Sequence, residues 1–179
     1  MTLAAANPSQ QGIASNPALL AALAITIIAA ATLAGAWFFE LVLDVRPCPL
    51  CLEQRYAYYL ALPLGVLTAF AAARHAPRHL LMAAFVILLV AALGNAYLGG
   101  YHAGVEWKFW QGPTDCSGPI LDLGSAGNLL QRLDTVKVIR CDEVQWRFLG
   151  LSLAGYNVLI SLAMAAIAMW GFVAAAKKN

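Results

Sequence analysis

The sequence predicts an all-α fold, an integral membrane four-helix bundle with a long outer loop that carries a short amphipathic helix. Three observations lead there. The 179 residues are 61% hydrophobic and only 11% charged, with a mean hydropathy of +0.71, whereas soluble domains average roughly 25% charged residues. Four apolar stretches, about 19–39, 52–73, 80–98 and 149–173, each run to roughly 20 residues, the length of helix that crosses a hydrocarbon core. The polar residues collect between them, most in the loop 99–148. The spans leave no room for a second domain, so residues 1–179 are expected to form a single membrane domain. A net charge of +2 gives no basis for a nucleic-acid partner.

Residues 1–18 contain no Lys or Arg, and the apolar stretch that follows is longer than a signal-peptide core. The first segment therefore reads as a span, not a cleaved signal, behind a short disordered lead-in. Its outer end passes into the loop 40–51. There Pro47 and Pro49 disfavour helix and hold the intervening cysteine in a turn. The second span contains Pro63, which membrane helices tolerate at the expense of a kink. The third span follows the short basic loop 74–79.

In the loop 99–148, Trp107, Phe109 and Trp110 suit an interfacial belt, as do Trp37 and Trp170 at span ends. Gly112-Pro113 and Gly118-Pro119 bracket Cys116 with turn formers, which predicts an exposed stretch. Over 128–138, apolar Leu129, Leu130, Leu133 and Val136 alternate with Gln131, Arg132, Asp134 and Lys137, the pattern of a short helix lying on the membrane or packed against the bundle. Asn95 and Asn157 fall inside spans, where hydrogen bonds between helices beside small neighbours such as Gly94 and Gly155 are the ordinary reading.

Four spans put both termini on one side. That side carries four basic residues (Arg74, Arg78, Lys177, Lys178), and the other carries the remaining seven and all nine acids. A raw count therefore opposes cytoplasmic termini, although most of the seven lie in one loop of about 50 residues, where charge has less hold on topology. All four cysteines lie opposite the termini, and paired cysteines need an oxidising compartment. The cysteines are expected outside the cytoplasm and the termini inside.

The chemistry centres on Cys48-Pro49-Leu50-Cys51, a dithiol at the mouth of the second span, with Arg55 one turn further in. A helix N-terminus favours a thiolate, and Arg55 at i+4 from Cys51 adds a second positive influence. A thiolate attacks disulfides and can donate electrons. Arg55 costs about 2.5–3.5 kcal/mol if it reaches the bilayer centre, so it needs a partner, which a quinone-type oxygen that becomes negative on reduction could supply. Blander readings are a snorkelling arginine, a structural cysteine staple, or zinc, the last disfavoured because no histidine stands at ligand spacing. Cys116 and Cys141 can close a loop, a bridge that as pure structure is worth about 3–4 kcal/mol. Beside the mouth pair, it also permits disulfide exchange.

The ordered set Arg46-Pro47-Cys48-Pro49-Leu50-Cys51-Leu52-Glu53-Gln54-Arg55, Gly112-Pro113-Thr114-Asp115-Cys116 and Cys141-Asp142-Glu143-Val144-Gln145-Trp146-Arg147-Phe148-Leu149-Gly150 resembles the DsbB family, across nearly the whole chain. These are bacterial inner-membrane enzymes that reoxidise the periplasmic dithiol oxidase DsbA and serve protein folding. The resemblance implies a two-disulfide relay. A reduced DsbA-like protein attacks the Cys116–Cys141 disulfide at Cys116, and Cys141 passes electrons to Cys48–Cys51. Cys51 contacts a quinone (ubiquinone or menaquinone), with Arg55 stabilising the charge-transfer and reduced states. It also implies a polar quinone contact early in the second outer loop, a place His102 or Glu106 can fill. A vitamin K epoxide reductase-like enzyme is disfavoured, because its CxxC follows its loop cysteines. A non-catalytic membrane subunit with inert disulfides leaves Arg55 unexplained, and a transporter lacks any repeat or acidic relay in the spans.

Overall fold

The computed structural model describes residues 16–113 and 140–177. Among them four long helices are found, α1 (Pro17–Leu41), α2 (Pro49–Ala73), α3 (Arg78–Glu106) and α4 (Leu153–Ala176), with a two-residue hairpin, β1 (Arg147–Phe148) and β2 (Leu151–Ser152), before α4. Each helix is long and apolar enough to cross a membrane. The principal packing partners are α3 with α4 and α1 with α2. Large apolar side chains point outward along the helices, among them Ile27, Leu67, Val90 and Leu159, as lipid-facing surfaces require. The chain is a multi-pass helical membrane bundle.

The helix ends follow local chemistry. Asn16 caps α1 by accepting from the Leu19 amide at 3.2 Å, and its Nδ2 donates to the Ala72 carbonyl at 3.1 Å, tying the start of α1 to the end of α2. Cys48 caps α2, with Pro49 in the first turn, where its missing amide hydrogen costs nothing. Ser152 caps α4 by accepting from the Gly155 amide.

The interior is built from small residues, as expected where helices gain nothing from shedding water and must approach closely. Ala21, Ala22, Ala29, Ala168 and Ala175 are fully enclosed, together with Ile25 and Phe85. At Gly171 an added Cβ would lie 2.4 Å from the ring of Phe85, and at Gly65 it would lie 2.5 Å from Thr26 Oγ1. Phe85 is fully buried and has nowhere to retreat. Gly171→Ala is therefore expected to destabilise the bundle by about 1–3 kcal/mol through overpacking, lowering the thermal unfolding midpoint in detergent. An unchanged midpoint would show that α3 and α4 have slack here.

The helix boundaries differ from the sequence expectation in three places. The second span starts at Pro49, before the expected 52, and Cys51 lies in its first turn, in keeping with its expected place at a helix N-terminus. The third span continues past Leu98 to Glu106, which moves His102 and Glu106 out of the expected outer loop and onto the last turns of α3. The fourth begins at Leu153. Leu149 and Gly150 have φ of +48° and +83°, and that left-handed pair makes the hairpin turn in place of a helix start. α2 runs through Pro63 without interruption. The lead-in, Cys116, the amphipathic 128–138 segment and Lys178 lie outside the described residues.

Candidate functional site

Cys48 is the capping residue of α2. Its sulfur accepts from the Cys51 amide at 3.3 Å, and its thiol donates to the Cys51 sulfur at 2.9 Å. Neither cysteine is disulfide-bonded. The hydrogen bond to Cys51 and then burial push the Cys48 thiol up from its ordinary value. Cys48 is 2% exposed, whereas Cys51 is half-buried.

His102, one of two residues named for the same sequence-based role, reaches this pair from α3. Its Nε2 is 3.7 Å from Cys48 Sγ and 3.9 Å from Glu106 Oε1, and its Nδ1 is 2.9 Å from Gln54 Nε2. Glu106 is 6% exposed in its side chain, and its Oε2 has no hydrogen-bond partner. A buried carboxylate oxygen without a donor is costly and calls for a ligand or a proton. The absence of a histidine at ligand spacing disfavours zinc in the sequence, yet His102 supplies one in space, since its ring and both sulfurs lie within 4.8 Å of one another. The sulfurs at 2.9 Å are nonetheless closer than the roughly 3.8 Å that two thiolates span on a tetrahedral ion with about 2.3 Å bonds.

Arg55, one turn below Cys51, has a protein partner that the sequence did not suggest. Its Nη1 donates to Glu40 Oε2 at 2.6 Å, and its guanidinium stands 5.5 Å from the Trp37 ring centroid. Arg55, Cys51, Cys48, His102 and Glu106 all line one cavity of about 540 Å³ walled by α1, α2, the end of α3, α4 and the segment before the hairpin. That volume lies within the range of small-molecule sites, about 300–1,000 Å³. The cavity wall is largely apolar.

Cys141 is 1% exposed and disulfide-bonded, and it packs in one buried cluster with Cys48, Leu50 and Val105. The loop around it is pinned by charge. Asp142 accepts from Arg140 at 2.9 Å and from Lys108 at 2.6 Å, and these bonds hold its carboxyl below the usual carboxylate range. The structure thus brings six of the seven sequence-predicted site residues into two adjoining groups, and Cys116 lies outside the described residues. Glu40 and Gln54 are additions. Glu40 is separated from Arg55 by a loop and carries no local signal, whereas Gln54, a polar residue facing inward at the mouth of a span, could have been flagged.

Four membrane spans with a dithiol capping one helix, against a second, disulfide-bonded cysteine, define a membrane protein of thiol–disulfide oxidoreductase type. A family model described as disulfide bond formation protein DsbB matches residues 18–171, and the chain belongs to the DsbB family. Relatives bearing the name disulfide bond formation protein B include one from Hahella chejuensis, 31% identical with 83% of this chain and 88% of that protein covered. Another, from Methylococcus capsulatus, is 34% identical over 80% and 87%. One from Marinobacter nauticus is 32% identical over 75% and 80%.

Proposed function

We propose that the protein is a protein-dithiol:quinone oxidoreductase of the bacterial inner membrane, which reoxidises a periplasmic DsbA-like thiol oxidase and hands the electrons to the membrane quinone pool. The observation that carries this reading is the cavity shared by Cys51, Arg55, His102 and Glu106. It combines a half-buried cysteine, a positive charge and a buried carboxyl oxygen without a donor. With Glu106 protonated, and so able to donate, these suit a flat, lipid-soluble molecule with an oxygen at each end. A quinone held there would supply an acceptor of two electrons and two protons.

The chain's own residues do the rest. Cys116 takes the attack of the partner's thiolate, which breaks its bond to Cys141 and releases Cys141 as a thiol. Cys141, packed against Cys48, then attacks the mouth pair in its disulfide form, making a Cys48–Cys141 bond as the Cys48–Cys51 bond breaks. The partner's second thiol displaces Cys116, and Cys116 in turn displaces Cys48 from Cys141, which restores the Cys116–Cys141 disulfide and leaves the mouth pair as the dithiol. Cys51 faces the cavity as the sulfur nearest the acceptor, and Arg55 favours negative charge beside it. His102 and Glu106 are the other polar contacts for the acceptor's oxygens. The net change is partner dithiol plus quinone to partner disulfide plus quinol, balanced in two electrons and two protons. In this reading the cysteines face the periplasm and the termini the cytoplasm.

The alternative of inert staples gains little support. A bond between residues three apart closes too short a loop to constrain the unfolded chain much, and that pair sits against a cavity. The test uses purified protein with a reduced DsbA-like partner and ubiquinone or menaquinone, following quinone absorbance and partner thiols together. One quinone consumed per partner dithiol oxidised is the expected result. An inert mixture across several quinones and partners, with disulfides intact, overturns the reading.

A further inference from the structure

We infer that Gln54 is a positioning residue that fixes His102 as the tautomer with its proton on Nε2, so that the imidazole gives a hydrogen bond to the Cys48 sulfur and does not take a proton from it. The role in turnover rests on the function proposed above; the tautomer itself does not.

A carboxamide has one accepting and one donating end, so once one end is engaged the other is defined. Gln54 Oε1 accepts from Asn157 Nδ2 at 2.6 Å. Its Nε2 is thereby the end that faces His102 Nδ1 at 2.9 Å, and an amide donor there requires a lone pair on Nδ1. A neutral ring has a single N–H, which must then sit on Nε2.

Asn157 is oriented in the same sense. Its Oδ1 accepts from Tyr58 Oη at 2.5 Å and from Asn95 Nδ2 at 3.2 Å, and Asn95 Nδ2 also donates to Ser161 Oγ at 3.0 Å. Gln54, Tyr58, Asn95, His102 and Ser161 are each less than 7% exposed. Three helices, α2, α3 and α4, cooperate to place one proton.

What Nε2 faces agrees with this assignment. Cys48 Sγ and Glu106 Oε1 lie at 3.7 and 3.9 Å, both able to accept. The Cys48 thiol proton points toward the Cys51 sulfur, away from the imidazole. His102 is thus a donor facing Cys48, favouring charge on that sulfur when it is released in exchange. Asn95 and Asn157, ordinary packing residues by sequence, become the outer part of the same device.

The experiment is nitrogen-15 NMR of histidine-labelled protein in lipid nanodiscs, with the mouth pair reduced and the His102 signals assigned by subtraction of a His102→Asn sample. In the wild type, Nε2 is expected as the protonated, pyrrole-type nitrogen and Nδ1 as the bare, pyridine-type one. Gln54→Glu places an acceptor against Nδ1 and is expected to draw a proton there and slow turnover about tenfold. Gln54→Met, which adds no charge, is expected to give mixed tautomers. A wild-type proton on Nδ1, or ring signals indifferent to both substitutions, overturns the inference even if turnover proceeds. Lack of turnover in the wild type, with Nε2 protonated as expected, instead removes the proposed function and leaves the tautomer assignment standing.

Discussion

Cys51→Ser is expected to abolish electron transfer from a reduced partner to quinone, a loss of about 10³-fold or more as for other residues that act as a covalent unit, with the bundle still folded. Serine fits the space, and the residue is half-buried at the edge of a cavity, so little packing is lost. An oxygen cannot form the disulfide through which two electrons are collected. The variant also leaves Cys48 without its neighbour while Cys141 remains packed in the same buried cluster. Exchange then stops once the Cys116–Cys141 disulfide has been spent. After addition of a reduced DsbA-like protein, at most one partner dithiol per chain should be engaged, as a mixed disulfide at Cys116 on non-reducing electrophoresis or as one equivalent of oxidised partner, while quinone absorbance stays flat. Residual turnover above a few per cent would mean that Cys51 is not the terminal sulfur.

The spans were legible because lipid imposes a single demand, a long apolar helix with its backbone bonds satisfied internally. Their ends were less so, because helix ends are decided by packing that hydropathy does not register. The turn from Gly99 to Glu106 contains three glycines and two ionisable residues, which reads as loop. It is helix because Gly99 receives Asn157 and Val158 of α4 and Gly104 receives the ring of Trp110. The sequence also pointed to the wrong glycine, since an added Cβ at Gly94 meets nothing within 4 Å. Leu149 failed as a helix start for a different reason, a left-handed backbone that no periodicity reveals.

At the site, the dithiol and Arg55 were readable because they lie within eight residues of one another and their chemistry is unusual for a span. His102 was readable only as a candidate, and its distance from Cys48 depends on α3 folding back against α2. The Gln54–Asn157 link, which directs the histidine, joins residues 103 positions apart. Such a contact has no signature in one sequence. What could be read was the presence of polar side chains in spans, each of which needs a partner.

The second large effect is expected at Arg55, where two substitutions should act in opposite directions. Arg55 and Glu40 have side chains 11% and 27% exposed and meet at 2.6 Å. Glu40 stands in the last turn of α1, the negative end of a helix, where a carboxylate is disfavoured unless a cation answers it. Arg55 in turn is a cation at the mouth of an apolar span. Arg55→Ala removes the charge that favours a negative oxygen in the cavity and leaves Glu40 beside it unanswered. Loss of one hydrogen bond to a charged group is worth about 1.5–3 kcal/mol, so quinone KM should rise roughly 10- to 100-fold. Glu40→Gln keeps a hydrogen-bond acceptor for Arg55 but removes the competing charge, freeing the guanidinium's field for the cavity. Its quinone KM should stay level or fall, while thermal stability drops by about 1 kcal/mol, as for a weakened, partly exposed ion pair. Steady-state titration with quinone at saturating reduced partner, run beside thermal unfolding, separates the two effects. If both substitutions raise KM equally, the pair acts as a structural clasp and the positive charge is not directed at the acceptor. If they diverge, Glu40 is the counter-ion that Arg55 exchanges for the oxygen of the acceptor.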